Sequence, residues 1–444
     1  MEDNEKQSLN CKVLRNTLFQ FVDKFVSIIT TVFIGAWVIR YLGPEDFGLL
    51  SYVISAVVIL TSFTRLGLNN IVVRELTKRK SDVSIILSSA FVLKILASVL
   101  VYILTVFLLY MYDSKYFVMY VIVSLAIVFQ SIEVVSFYFQ SKLTAKYTVY
   151  ANIISTMMVA SMRVLLILFG FGVLYFSVIY SLNFFIIGSV LIFYYLKKSE
   201  SLSIKEMFCS FEKREMLDLL RSSFPIYMAS IATAIFMKSD QLMLFWLSTP
   251  YQVGVYSVAV SLTTVFYFIP IAISSSFLPA LIEKKNISEK NYRAGLQLSI
   301  NLLLVTALAI AISMSFLSGY IVSILYGDDY SESAILVSLY FWIFVVIAFE
   351  AGVSNLIVIE SLQKYLMWST VAGALLNVVL NYILIPIYQS QGAVYATLGS
   401  YMLSHYFFYR LFSKTRIIVD VKHRAVKNLF KYTTYKEIYG FVRG

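Results

Sequence analysis

Residues 44–55 read PEDFGLLSYVIS, and residues 250–261 read PYQVGVYSVAVS. Pro44, Gly48, Ser51 and Ser55 meet Pro250, Gly254, Ser257 and Ser261 at a constant offset of 206 positions. Each stretch lies between two long apolar runs. Proline lacks a backbone donor and so marks a helix boundary, and glycine permits a tight re-entry. Serines four residues apart share one helix face and let a neighbouring helix approach closely. The repeat predicts two halves that open with the same hairpin.

The rest of the chain sets the solvent for that hairpin. Of 444 residues, 59% are hydrophobic and only 14% charged, with mean hydropathy +0.80. Soluble domains carry about 25% charged residues, so this composition belongs in a membrane. A span needs about 20 mostly apolar residues. Twelve segments qualify: 17–40, 47–67, 83–111, 116–139, 148–169 and 172–196 in the first half. The second half has 218–247, 254–281, 295–325, 332–358, 365–388 and 391–413. The polar start, MEDNEKQSLNCKVLRN, lacks the apolar run and cleavage site of a secretory signal, so the first segment is expected to stay as a helix. Cys11 and Cys209 fall in polar segments and suggest no disulfide framework, and no Cys/His spacing suggests a metal.

Charge sets the orientation. With the N-terminus inside, the inner segments hold 27 Lys and Arg, while the outer side holds Lys115 and Arg40. That asymmetry obeys the positive-inside rule and puts both termini in the cytosol. The net charge of +11 is therefore a topology signal, with no call for nucleic acid. The outer loops are too short for a catalytic domain. The expected architecture is an all-α polytopic membrane protein of twelve transmembrane helices. It forms two pseudo-symmetric six-helix lobes, 1–198 and 217–413, around a central cavity. A cytosolic linker, 199–216, and a basic cytosolic tail, 414–444, complete it. Both hairpins start outside, so the repeat is parallel, as in carriers that bind substrate between two halves. The tail carries eight basic and two acidic residues, and its Ile417, Ile418, Val421, Leu429 and Phe430 predict a short helix lying on anionic lipid.

Ionisable residues at bilayer depth cost at least ~2.5–3.5 kcal/mol each on insertion scales and usually face a cavity or a partner. Eight qualify: Asp23, Lys24, Lys94, Glu133, Arg163, Lys238, Asp240 and Glu350. Arg40, Arg65 and Glu360 lie near helix ends and can reach water. Lys238 and Asp240 are about 200° apart around a helix and do not face each other; each is expected to point at another helix or at water. The set reads either as interhelical ion pairs that fix packing or as the lining of a polar, partly cationic cavity. Equal numbers of cations and anions over several helices favour the cavity, which suits an anionic, hydroxyl-rich substrate. Most Tyr read as an interfacial belt; Tyr180, Tyr227, Tyr267 and Tyr382 are alternatives for sugar stacking.

Two stretches resemble a known family. IRYLGPEDFGLLSYVISAVVILTSFTRLGLNNIVVREL, residues 39–76, is similar to the first hairpin and inner loop of bacterial polysaccharide flippases, the Wzx-type O-antigen and repeat-unit transporters. KSDQLMLFWLSTPYQVGVYSVAVSL, residues 238–262, resembles that family's seventh-to-eighth helix signature. The resemblance implies membership of the multidrug/oligosaccharidyl-lipid/polysaccharide exporter superfamily. It also implies flipping of an undecaprenyl-diphosphate-linked oligosaccharide for a surface polymer such as O-antigen or capsule, in the bacterial cytoplasmic membrane. It implies no cofactor, a proton or sodium gradient as the energy source, and contact with lipids and other polysaccharide-assembly membrane proteins. Lys24, Lys94, Arg163 and Lys238 are then candidates for the diphosphate. Asp23, Glu133, Asp240 and Glu350 are candidates for ion coupling or charge pairing. A small-molecule or drug exporter of the same superfamily is the alternative. A membrane enzyme fits less well, because plain loops offer no catalytic constellation.

Overall fold

A computed structural model describes residues 19–79, 81–111, 115–198, 210–429 and 431. Cys11, Cys209, Phe430 and most of the expected linker and distal tail lie outside the described residues. The described residues are helical almost throughout. Buried in lipid, a chain has no water to satisfy its backbone, and the helix satisfies each peptide within its own segment.

Ten helical stretches are long and apolar enough to cross a membrane. Two of them are broken. In the 60-residue stretch Phe19–Lys78, Gly43 has φ 72° and ψ 170°, and it separates α1 (residues 19–42) from α2 (44–65). Leu66 and Gly67 then turn the chain into the short helix α3 (Leu68–Lys78). The 48-residue stretch Gln363–Arg410 breaks at Gln389, with φ 52° and ψ −128°, into α12 (363–388) and α13 (390–410). Between them run α4 (Val83–Met111), α5 (Phe117–Ser141), α6 (Lys146–Leu168) and α7 (Val173–Lys198). There follow α8 (Lys213–Leu247), α9 (Pro250–Ile287), α10 (Glu289–Tyr326) and α11 (Ser333–Ile359). The last described helix is α14 (Arg416–Asn428).

By contacts the chain forms two compact units, residues 19–42 with 50–234, and 43–49 with 235–431. The boundary falls inside α8, and the turn 43–49 packs with the second unit. In the first unit α3 buries Leu68, Ile71, Val72 and Leu76, one stripe at helical spacing, in a core with Ile86, Phe137, Leu191 and Leu219. Sequence analysis treated α3 as inner loop because it is too short and polar to span. At its end the Arg79 guanidinium forks onto Glu215 at 2.9 and 2.5 Å, tying the start of α8 to this unit. That carboxylate lifts the Arg79 pKa above its ordinary value.

The second unit contains a departure from expectation. The apolar face of α14 is covered by the protein: Ile418, Val419, Val421 and Ala425 are buried with Leu281, Tyr292, Leu296 and Leu356. The amphipathic pattern was real, but its apolar partner is this unit's own core, and lipid is not what covers Ile418 and Val421.

The repeat glycines also have a different reason. The tight turn of the first hairpin is made by Gly43, next to Pro44. Gly48 is instead a contact point: a Cβ there would stand 1.8 Å from the Pro250 carbonyl oxygen, and one on Gly254 would stand 2.0 Å from that of Pro44. The two copies of the motif pack on each other, backbone to backbone and reciprocally. In the second copy Thr249 caps α9 by accepting from the Gln252 N–H, with Pro250 at the first position of the helix.

Gly48→Ala and Gly254→Ala are each expected to cost several kcal/mol, at or above the ~1–3 kcal/mol of ordinary overpacking, because the obstructing atom is backbone. Gly319→Ala, with open space around it, should leave the melting temperature of the detergent-purified protein unchanged. Equal melting temperatures for all three variants would refute the contact.

Candidate functional site

The run AIFMKSDQLMLFWL, residues 234–247, forms the second half of α8. Ser239, Asp240 and Gln241 are buried there, with Asp240 only 2% exposed. Asp240 accepts hydrogen bonds from the Asn381 amide at 2.6 Å, from the Thr397 hydroxyl at 2.6 Å and from the Tyr256 hydroxyl. Tyr256 is in turn 3.2 Å from the Tyr340 hydroxyl. The Asn377 carbonyl oxygen accepts from Ser239 at 2.7 Å and from Asn381 at 3.1 Å. Four helices meet at this carboxylate: α8, α9 through Tyr256, α12 through Asn377 and Asn381, and α13 through Thr397.

Every donor to Asp240 is neutral, and among the described residues no Lys or Arg makes an ion pair with it. The Asn381 Oδ1 atom is buried without a hydrogen-bond partner among the described residues. The cluster therefore gathers one carboxylate, two amide oxygens and hydroxyl oxygens, with no ion pair to the acid among the described residues. Such a set suits a proton or a small hard cation that takes oxygen ligands. Charge marks Asp240 in the sequence but not its uncharged partners. The signal was present as Asn377 and Asn381, amides one turn apart on one face of an otherwise apolar helix.

Lys238 departs from expectation. Its ammonium donates to Gln241 Oε1 at 3.0 Å, three residues on along its own helix, and makes no ion pair among the described residues, although it feels the Asp240 charge. The Gln241 amide donates in turn to Ser257 at 2.7 Å, so a serine of the repeat holds the relay. Lys238 is thus fixed in direction by a neutral side chain of its own helix.

The remaining candidates divide into engaged and open groups. Lys94, 2% exposed, pairs with Glu133 at 3.3 Å and lies over the Phe137 ring. This corrects its expected place among substrate-facing cations, because the buried ammonium is already committed to a carboxylate. Glu133 sits in a short 3₁₀ turn within α5, and its side chain is 44% exposed. Asp23 accepts from the Asn152 amide at 3.0 Å, beside an exposed Lys24. Arg163 lies on α6, partly buried, and makes no ion pair among the described residues.

Glu350 is held by a residue that sequence analysis had placed in the cytosolic tail. Lys422 of α14, 3% exposed, pairs with Glu350 and donates to the His405 carbonyl at 2.7 Å. That carbonyl lies in the π-helical turn Leu403–Phe407, where the wider register frees backbone acceptors. Phe349 and Tyr409 flank the ammonium at 5.7 and 5.4 Å. Glu350 is thereby a charge-paired residue. The repeat residues Pro44, Gly48, Pro250 and Gly254 form the backbone contact described above, while Ser51 and Ser55 are buried and Ser261 is half-buried on their helices.

With this geometry established, comparison with known proteins is informative. Residues 12–285 match the family described as "Polysaccharide biosynthesis protein", more than half of the sequence, and the chain belongs to that family. No curated protein matches it. Among solved structures it is similar to the lipid II flippase MurJ in an inward closed conformation, at 15% identity and TM-score 0.68, covering 94% of this chain and 92% of that one. It is also similar to an inward-facing multidrug resistance MATE transporter of the MOP superfamily, at 14% identity and TM-score 0.60, covering 92% and 96%. A MOP superfamily transporter from Pyrococcus furiosus aligns at 13% identity and TM-score 0.57, covering 95% and 96%. These similarities are of fold.

Lys422→Ala leaves Glu350 buried without its cation and is expected to cost about 3–5 kcal/mol. The double variant Lys422→Met, Glu350→Gln should recover most of that loss in thermal unfolding of the purified protein. A single variant as stable as the parent would show that the pair does not hold α14.

Proposed function

We propose, from membership of this family and from the neutral cage around Asp240, that the chain is a flippase for polyprenyl-diphosphate-linked oligosaccharide. It moves the repeat unit from the inner to the outer leaflet of a bacterial cytoplasmic membrane, for surface polysaccharide synthesis. The similarity to a protein named a lipid II flippase supports a lipid-borne cargo. In this reading the two broken stretches are two spans each, giving twelve, since 60 helical residues rise about 90 Å against a hydrocarbon core of about 30 Å. The basic inner loops put both termini in the cytosol. The lobes correspond to 1–198 and 217–413.

The observation that carries the ion-coupled part is a buried carboxylate that four helices surround with neutral donors and that makes no ion pair among the described residues. A proton or sodium ion arriving at Asp240 changes what its oxygens can accept. Thr397, Asn381 and Tyr256 must then re-aim, and α8, α9, α12 and α13 repack. Ion occupancy is thus converted into helix position, which alternating access requires. Lys24, Arg163 and Lys238 are the cations left to meet the diphosphate. No step calls for bond-making chemistry, consistent with a transporter and not an enzyme.

The test is reconstitution into liposomes with the host's lipid-linked repeat unit, reading its exposure to an impermeant glycosidase under an imposed ion gradient. Gradient-accelerated exposure is expected for the parent. Asp240→Asn, which mimics the neutral acid, should flip without responding to the gradient; an intact response would remove Asp240 from coupling. Failure to flip, together with gradient-driven efflux of a small organic cation, would replace this function with drug export.

A further inference from the structure

In the first unit, where α5 ends and α6 begins beside α1, lies a cavity of about 700 Å³ whose lining includes Gln20, Asp23, Lys24, Gln140, Thr148 and Asn152. In a chain so apolar, six polar side chains around one cavity are far from what lipid contact would select. The groups come from three places: the first turns of α1, the end of α5 and the first turns of α6. The loop after α5 turns through Leu143 in the left-handed region, φ 54°, which places Gln140 and Thr148 on the same cavity.

The chemistry is mixed in a specific way. Asn152 donates to Asp23 at 3.0 Å, so an amide and a carboxylate are already oriented side by side. Gln20 and Gln140 are exposed, and each carries both a donor and an acceptor. The Thr148 hydroxyl is buried with no hydrogen-bond partner among the described residues. A buried hydroxyl left unpaired is costly unless a ligand or water completes it. Amides, a carboxylate and a hydroxyl, each able to accept, match a ligand rich in alternating hydroxyl donors and acceptors. Lys24 alone supplies positive charge. An inorganic anion would call for several cations, and an apolar ligand would leave the Thr148 hydroxyl unpaired and give Gln20 and Gln140 no partner.

We propose that this cavity is the reception site for the saccharide of the cargo: Asp23, Asn152, Gln140, Gln20 and Thr148 hydrogen-bond sugar hydroxyls, and Lys24 faces the adjoining phosphate. The inference rests on the flippase reading and assigns the sugar a place distinct from the Asp240 cage. The site lies at the end of the unit where the inner leaflet would present the headgroup. It gives Asp23 and Lys24 separate duties, one toward hydroxyls and one toward phosphate.

The test uses the full chain in membrane vesicles, with Cys11→Ser and Cys209→Ser, and Leu143→Cys as a reporter. Leu143 lines the cavity, is 40% exposed and belongs to none of the assigned hydrogen-bonding groups. Alkylation by N-ethylmaleimide is timed with the host's lipid-linked repeat unit or with bare undecaprenyl diphosphate. Protection by the glycosylated lipid and not by the bare one is expected. Asn152→Leu or Gln140→Leu should raise the concentration needed for protection about tenfold, the loss of one to two hydrogen bonds. Equal protection by both lipids would make this a phosphate site and overturn the saccharide assignment. No protection by either, in vesicles that still flip the repeat unit, would overturn the site and leave the function standing. Vesicles that neither flip nor protect would overturn both.

Discussion

An acid buried among neutral donors is the constraint around which the second unit is built. Asp240 cannot be left bare at bilayer depth, and it makes no ion pair among the described residues. The fold answers by bringing three other helices to it, each contributing a hydroxyl or an amide. The helices cannot separate without leaving a carboxylate oxygen unpaired in a low-dielectric interior. Asp240 therefore acts as a register mark for α8, α9, α12 and α13.

The other buried charges follow the opposite strategy. Lys94 with Glu133, and Lys422 with Glu350, meet as ion pairs. A paired charge fixes geometry and offers nothing to a passing ion. Asp240 is held by hydroxyl and amide dipoles in place of a salt bridge. The buried acids thus divide into those held by an ammonium and the one held by neutral donors.

Much of the fold was legible in the sequence, because bilayer thickness and helix rise dictate segment length. The apolar runs at 83–111 and 172–196 are close to α4 and α7 as found. What escaped was everything set by tertiary partnership. Helix α3 is short and reads as loop until Leu68, Ile71, Val72 and Leu76 are seen to share one face. Lys422 looked like one more cytosolic charge, because nothing local marks a lysine that will be pulled into a core. Asn377, Asn381 and Thr397 are uncharged and so were invisible to a search for ions. The glycines of the repeat were noticed for the right reason of economy and the wrong reason of geometry. Their role is to let two distant backbones touch, and no single copy of the motif can show it.

That contact has a consequence for biogenesis. A chain is made from its N-terminus onward, so the turn at 43–49 emerges some two hundred residues before Pro250 and Gly254 exist to meet it. Glu350 likewise enters the membrane before α14 has been synthesised to deliver Lys422. The second unit therefore carries two unfinished surfaces through most of its translation: a glycine-lined notch and an unpaired acid. Both are closed by segments that come late. Assembly of this unit is completed after insertion, with the last docking step made by a helix of 13 residues, too short to cross the bilayer.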